Sequence, residues 1–173
     1  MTTAPRVSRL IPLANTHFVG VVVNLAGRDC AESIRYLDAE AARFGFVVDY
    51  LLVNPTPVEI PQWALRDGMT VLNFKQDFDG ECRFLTGTAE KFWSRERDYL
   101  IALSDSRFPL IDKIAQEASA GFKIGREAAG SDRIYDLTVR IGRSEREENL
   151  AALLLSTLKV LTREIDQSED EVH

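Results

Sequence analysis

"FVGVVVNLAGRDCAESIRYLDAEAARFGFVVDYLLVN", residues 18–54, decides the fold. Its opening run, "FVGVVVNL" (18–25), is nearly all apolar and rich in valine. That composition marks a strand buried on both faces, as in a parallel sheet. Asp29 then stands where a helix cap belongs, with Glu32 three residues later in the manner of a capping box. Ile34, Leu37, Ala41 and Phe44 repeat at helical spacing until Gly45. "FVVDYLLVN" (46–54) is a second strand, stopped by Asn54-Pro55-Thr56-Pro57. Strand, helix and strand in this compass make a βαβ unit, whose crossover is expected to be right-handed.

Working outward, the alternation continues. "VEIPQWALRDGM" (58–69) reads as a short helix or turn packing Trp63, and "TVLNF" (70–74) as a third strand. Asp79-Gly80 signals a turn or small hairpin, and "TAEKFWSRER" (88–97) a short helix burying Phe92 and Trp93. "DYLIALS" (98–104) is a strand, and Pro109 opens a helix lined by Leu110, Ile111, Ile114 and Ala118. "FKIG" (122–125) and "IYDLTVRIG" (134–142) are further strands, separated by the polar loop "REAAGSDR". Ser144 and Glu147 repeat the capping-box pattern before a long helix striped by Leu150, Leu153, Leu154, Leu158, Leu161 and Ile165. The fold expected is a single-domain, three-layer Rossmann-like α/β sandwich over residues 18–166. Its sheet is mostly parallel, of about five to six strands with flanking helices. A polar arm (1–17) precedes it, and an acidic tail (167–173) is expected to be disordered.

Composition excludes several function classes. The 173 residues carry a net charge of −6, which argues against nucleic acid or an anionic membrane surface as the main partner. RNA association would require the arginines to gather on one face. No run approaches the ~20 apolar residues needed to cross a bilayer. The apolar cluster Leu10-Ile11-Pro12-Leu13 is too short for a signal peptide, so cytoplasm is the expected location. Cys30 and Cys82 lie far apart without a CxxC context, as in a reduced intracellular chain. His17 and His173 have no metal-ligand spacing, and His17 falls at the wrong end of the sheet to serve as a catalytic base. No cofactor is implied, although the architecture leaves a nucleotide possible.

The block "DYLIALSDSRFPLIDKIAQEASAGFKIG" (98–125) resembles a family of short proteins common in Bacteroidetes and labelled only as a domain of unknown function. Its members show an apolar strand, a turn, "FPL", a helix and a lysine-containing "FKxG". "YDLTVRI" (135–141) is similar to that family's "YDLMI"-type strand. The resemblance runs from about residue 18 to 165 and implies the Rossmann-like fold without an activity. The same block is similar to one half of heptosyltransferase-type glycosyltransferases, which work with two halves.

In open parallel sheets ligands bind beyond the carboxyl ends of the strands, near a topological switch point. The candidate ligand-binding residues there are Asn24, Arg28, Ser104, Asp105 and Arg107, with Gly27, Asn54, Lys123 and Arg126 nearby. "NLAGRD" has one glycine where a dinucleotide loop wants three, so phosphate binding at this turn is disfavoured. Ser104 and Asp105 suit the capping of the helix that follows "SDSRFP", and that reading is preferred to a catalytic one. Asp77, Asp79 and Glu81 lack the EF-hand pattern and read as a solvated hairpin tip. Trp63, Phe92 and Trp93 read as core. The function these absences favour is a non-catalytic protein-interaction module, with a protein partner or a homodimer meeting an exposed part of the last helix. The alternative is a nucleotide- or nucleotide-sugar-binding protein, possibly a reduced glycosyltransferase-like enzyme, with Asn24, Arg28, Ser104 and Asp105 converging on a pocket.

Overall fold

The structure is a computed structural model, and it describes residues 7–27, 30–56, 59–104, 108–128, 130–140 and 150–170. Six strands, β1 (Phe18–Asn24), β2 (Val47–Asn54), β3 (Met69–Asn73), β4 (Arg97–Leu103), β5 (Ala120–Arg126) and β6 (Leu137–Val139), form one sheet in the order β3-β2-β1-β4-β5-β6. Every pairing is parallel. The order reverses between β1 and β4, which is the switch point of a doubly wound sheet. The expected α/β Rossmann-like sandwich is therefore what the chain forms.

The strands bury both faces because their apolar runs do not alternate. Val21, Val23, Leu52 and Ile101 face a layer built from helix α1 (Cys30–Phe44) and helix α4 (Leu150–Asp170), which contribute Ile34, Leu37, Leu154, Leu155 and Leu158. Val22, Leu51, Val53 and Leu100 face the other layer, made by α2 (Thr88–Trp93) and α3 (Pro109–Glu117) with Phe92, Leu110, Ile111 and Ile114. Gly45 closes α1 at φ +81°, the left-handed conformation that glycine adopts without strain.

Several expectations need correction. The 3-10 turn at Gln62–Leu65 buries Ala64, while Trp63 and Leu65 point outward, because the turn is too short to hide more than one side. Trp93 is only half-buried, edge-on to Phe84. Asp77 is no solvated tip: it is buried, accepting the Asn73 N–H at 2.8 Å and the Thr86 hydroxyl at 2.8 Å. Helix α4 runs to Asp170, four residues into the stretch expected to be disordered, since each added residue extends an existing ladder at little cost. Of its leucine stripe, Leu154 and Leu158 are core and Leu161 is half-buried. Asp29, Ser144 and Glu147, and the side chains of Leu150, Leu153 and Ile165, lie outside the described part. Among the described residues no helix is long and apolar enough to cross a membrane.

Candidate functional site

The carboxyl edge of the sheet holds the residues expected to bind a ligand. Asn24 ends β1 and Ser104 follows β4, and these strands are register neighbours at Val23 and Leu103, so the two polar residues meet at the switch point. Both are buried. Arg28, Asp105 and Arg107 lie outside the described residues.

What these groups do is largely internal. The Asn24 side-chain carbonyl accepts the Ala26 N–H at 3.1 Å and its backbone carbonyl the Gly27 N–H at 3.0 Å, while the Leu25 N–H donates to the Val53 carbonyl at 2.9 Å. Of the three consecutive amides after β1, one is thus spent on β2 and two on a tight turn. A phosphate cradle needs such amides unspent and pointing outward. Asn54 donates through Nδ2 to the Asn73 side-chain carbonyl at 3.1 Å, tying β2 to β3. The N-cap position of α3 is not Ser104 but Phe108, whose side chain makes no capping bond, and Pro109 at the first turn removes one donor that would need capping. Ser104 instead lines a cavity of about 20 Å³ with Phe108, Asp112, Arg126 and Tyr135, room for about one water.

The motif residues "FKIG" and "YD" lock this corner. The Tyr135 ring lies where a Cβ on Gly125 would come within 2.6 Å of it, so any larger residue at that strand position must push the ring aside. The Tyr135 hydroxyl donates to Asp112 at 2.9 Å, and burial, aided by that carboxylate, holds its pKa above the usual phenol range. Lys123 is buried, its ammonium donating to the Gln116 carbonyl at 3.2 Å near the end of α3, where a helix welcomes positive charge. Asp136 accepts the Lys123 backbone N–H at 2.7 Å.

The amino edge differs. Arg97 at the start of β4 runs across Gly20 of β1 to reach Asp49 of β2, 2.8 Å from its carboxylate, with Phe92 beneath the guanidinium at 4.0 Å. A Cβ on Gly20 would sit 2.3 Å from the Arg97 stem, so glycine is obligatory there. Burial lowers the Arg97 pKa and the Asp49 contact opposes that shift. Residues 8–18 strap this edge. The Arg9 N–H donates to the Gly121 carbonyl at 2.7 Å, Ile11 exchanges both backbone groups with the Tyr99 hydroxyl, and the His17 and Phe18 amides donate to one oxygen of Asp98 at 2.7 and 3.0 Å. Under the strap lies a cavity of about 610 Å³. Its walls include Arg9, Ile11, His17, Phe18, Glu96 and Asp98. Neither Arg9 nor Glu96 has an ion-pair partner among the described residues. Phe18 and Val47, register neighbours on β1 and β2, are 57% and 59% exposed.

Sequence reasoning missed the amino edge altogether. One signal was present: Gly20 interrupts a valine strand, the mark of a side chain or backbone passing close by. No protein-family model, curated protein or solved structure matches this chain.

Proposed function

We propose that this chain is a non-catalytic protein-interaction module of the cytoplasm that meets its partner at the amino edge of the sheet. One observation carries the reading: Asn24, the Asn54 amide and Tyr135 at the carboxyl edge are engaged with protein partners, whereas the amino edge presents Phe18 and Val47 to solvent beside a large recess. Exposed neighbouring apolar side chains of this size are what protein contacts use. The test is affinity capture with the wild-type chain and with Phe18→Glu and Val47→Glu. A partner held by the wild type and lost from both variants, with circular dichroism and melting temperature unchanged, supports the reading. Equal retention by all three removes the amino edge from it.

The strand order favours a second reading, a nucleotide or nucleotide sugar bound where β1 and β4 diverge. Fold alone is a weak warrant for ligand class. A nucleotide at a hundred times its Kd would stabilise the protein by about 2.7 kcal/mol. A thermal shift of that size, lost in Ser104→Ala or Asp105→Ala, would favour this reading over the first.

A further inference from the structure

The recess under the strap has the dimensions of a ligand pocket, about 610 Å³ against the roughly 300–1,000 Å³ such sites occupy. A few residues of a partner could enter it; a folded surface could not. Its chemistry is divided. Of the two arginines in its wall, Arg97 is committed to Asp49 and its side chain is 2% exposed. Arg9, in the strap, is exposed and has no ion pair among the described residues. Of the two acids, Asp98 is committed to the His17 and Phe18 amides, whereas Glu96 is exposed and has no ion pair among the described residues. The rest of the wall includes the apolar Ile11, Phe18 and Ala120, with His17 and Ser119 as further polar members.

We infer that this recess takes the free carboxyl end of a peptide whose last residue is apolar, with Arg9 receiving the terminal carboxylate. This deepens the interaction reading and rests on it. A guanidinium is suited to a carboxylate because its planar fork offers two parallel donors. Capture of a peptide terminus is an established recognition mode. The terminal side chain covers Phe18 and Ile11, apolar surface that is otherwise left in water. Glu96 adds a second condition, a cation one or more residues upstream. The same acid disfavours a phosphorylated ligand, whose extra negative charge it would repel. A carboxylate carries one charge, and Arg9 matches it.

The test is calorimetric titration of the whole chain with the pentapeptide AKAFL, its carboxyl end either free or amidated. The free form binds, and amidation weakens binding roughly fivefold, the upper range for one exposed charge pair. In Arg9→Gln the free and amidated forms bind alike, and in Phe18→Ser both bind roughly tenfold more weakly, as loss of a large apolar contact requires. Both positions are exposed at the surface, so the variants keep the fold. Binding of neither form, equal binding of both forms by the wild type, or a full carboxylate preference surviving in Arg9→Gln overturns the inference. Should a captured partner depend on Phe18 while amidation changes nothing, the interaction reading stands and the carboxyl-end inference falls.

Discussion

At the carboxyl edge Asn24 closes its own turn, Asn54 bonds Asn73, and Tyr135 bonds Asp112. At the amino edge the framework is equally tight, through Arg97 and Asp49, but Arg9, Glu96 and Phe18 are left over from it. A doubly wound sheet ordinarily concentrates ligand chemistry at the first of these edges. Here the described groups with nothing structural to do lie at the second. The topology specifies where a crevice can form. Which side chains remain unspent decides whether the described part of that crevice has chemistry to offer.

Five measurements can break or sharpen that contrast. The largest effect should come from Arg97→Ala at the amino edge. It removes a buried guanidinium from Asp49, the Phe92 ring and the Arg95 carbonyl, leaves Asp49 with the exposed Arg95 at 3.1 Å, and should cost about 3 kcal/mol in denaturant unfolding. A cost under ~1 kcal/mol would mean the clamp is not what organises this edge.

At the opposite edge Gly125→Ala should cost about 1–3 kcal/mol by forcing the Tyr135 ring aside. Combined with Tyr135→Ala it should be far less than additive, since the smaller side chain removes the clash. Additive costs would place the strain elsewhere.

Cys30, where α1 leaves the carboxyl edge, gives a pH signature. Burial pushes its thiol up to about 12 from the ordinary 9.0. The folded chain therefore holds a proton that the unfolded chain gives up, so this contribution to stability is intact below pH 9. It falls by about 1.4 kcal/mol per pH unit as pH rises from 9 toward 12. Cys30→Ala should remove that part of the alkaline slope, and native Cys30 should resist thiolate-selective reagents that modify Cys82. Ready labelling of Cys30 at pH 8 would contradict its burial.

The smallest stability effect belongs to Phe18→Ser, within about 0.5 kcal/mol, because the ring is largely in water. Tyr135→Phe should fall between, near 1 kcal/mol, for one lost hydrogen bond. If Phe18→Ser destabilised the fold as much as Tyr135→Phe, the ring would be a packing element and not spare surface.

The sheet was legible because its strands announce themselves. The runs at 18–25 and 46–54 are nearly all apolar and do not alternate, and a doubly covered parallel sheet buries such strands. The helices followed from residues at 3.6-residue spacing such as Ile34 and Leu37. The candidate site was legible only as a location. Sequence order puts Asn24 and Ser104 at strand ends, but it does not tell whether a polar side chain is already satisfied by a neighbour. Ser104 looked like a cap because serine near a helix start usually is one; Phe108 holds that position instead. Arg97 fell at the end of the segment 88–97 read as a short helix, whereas α2 stops at Trp93 and Arg97 opens β4. Its pairing with Asp49, 48 residues away, is set by the strand order β2-β1-β4, in which Gly20 lies between the two. Arg9 and Glu96 carry no local motif at all. Their proximity is a product of the strap's route across the sheet.

That route has a consequence in time. The Ser8 hydroxyl bonds the Asp136 carboxylate, 128 residues further on, and Arg9 reaches the backbone of β5. A chain made from its amino end thus produces the strap well before the strands that the strap docks on. Contacts so distant in sequence close late, after the loop entropy between them has been overcome. The strap's amino end is joined to the sheet only once β5 has been made, and until then the recess lacks the wall that Ala120 and Gly121 supply.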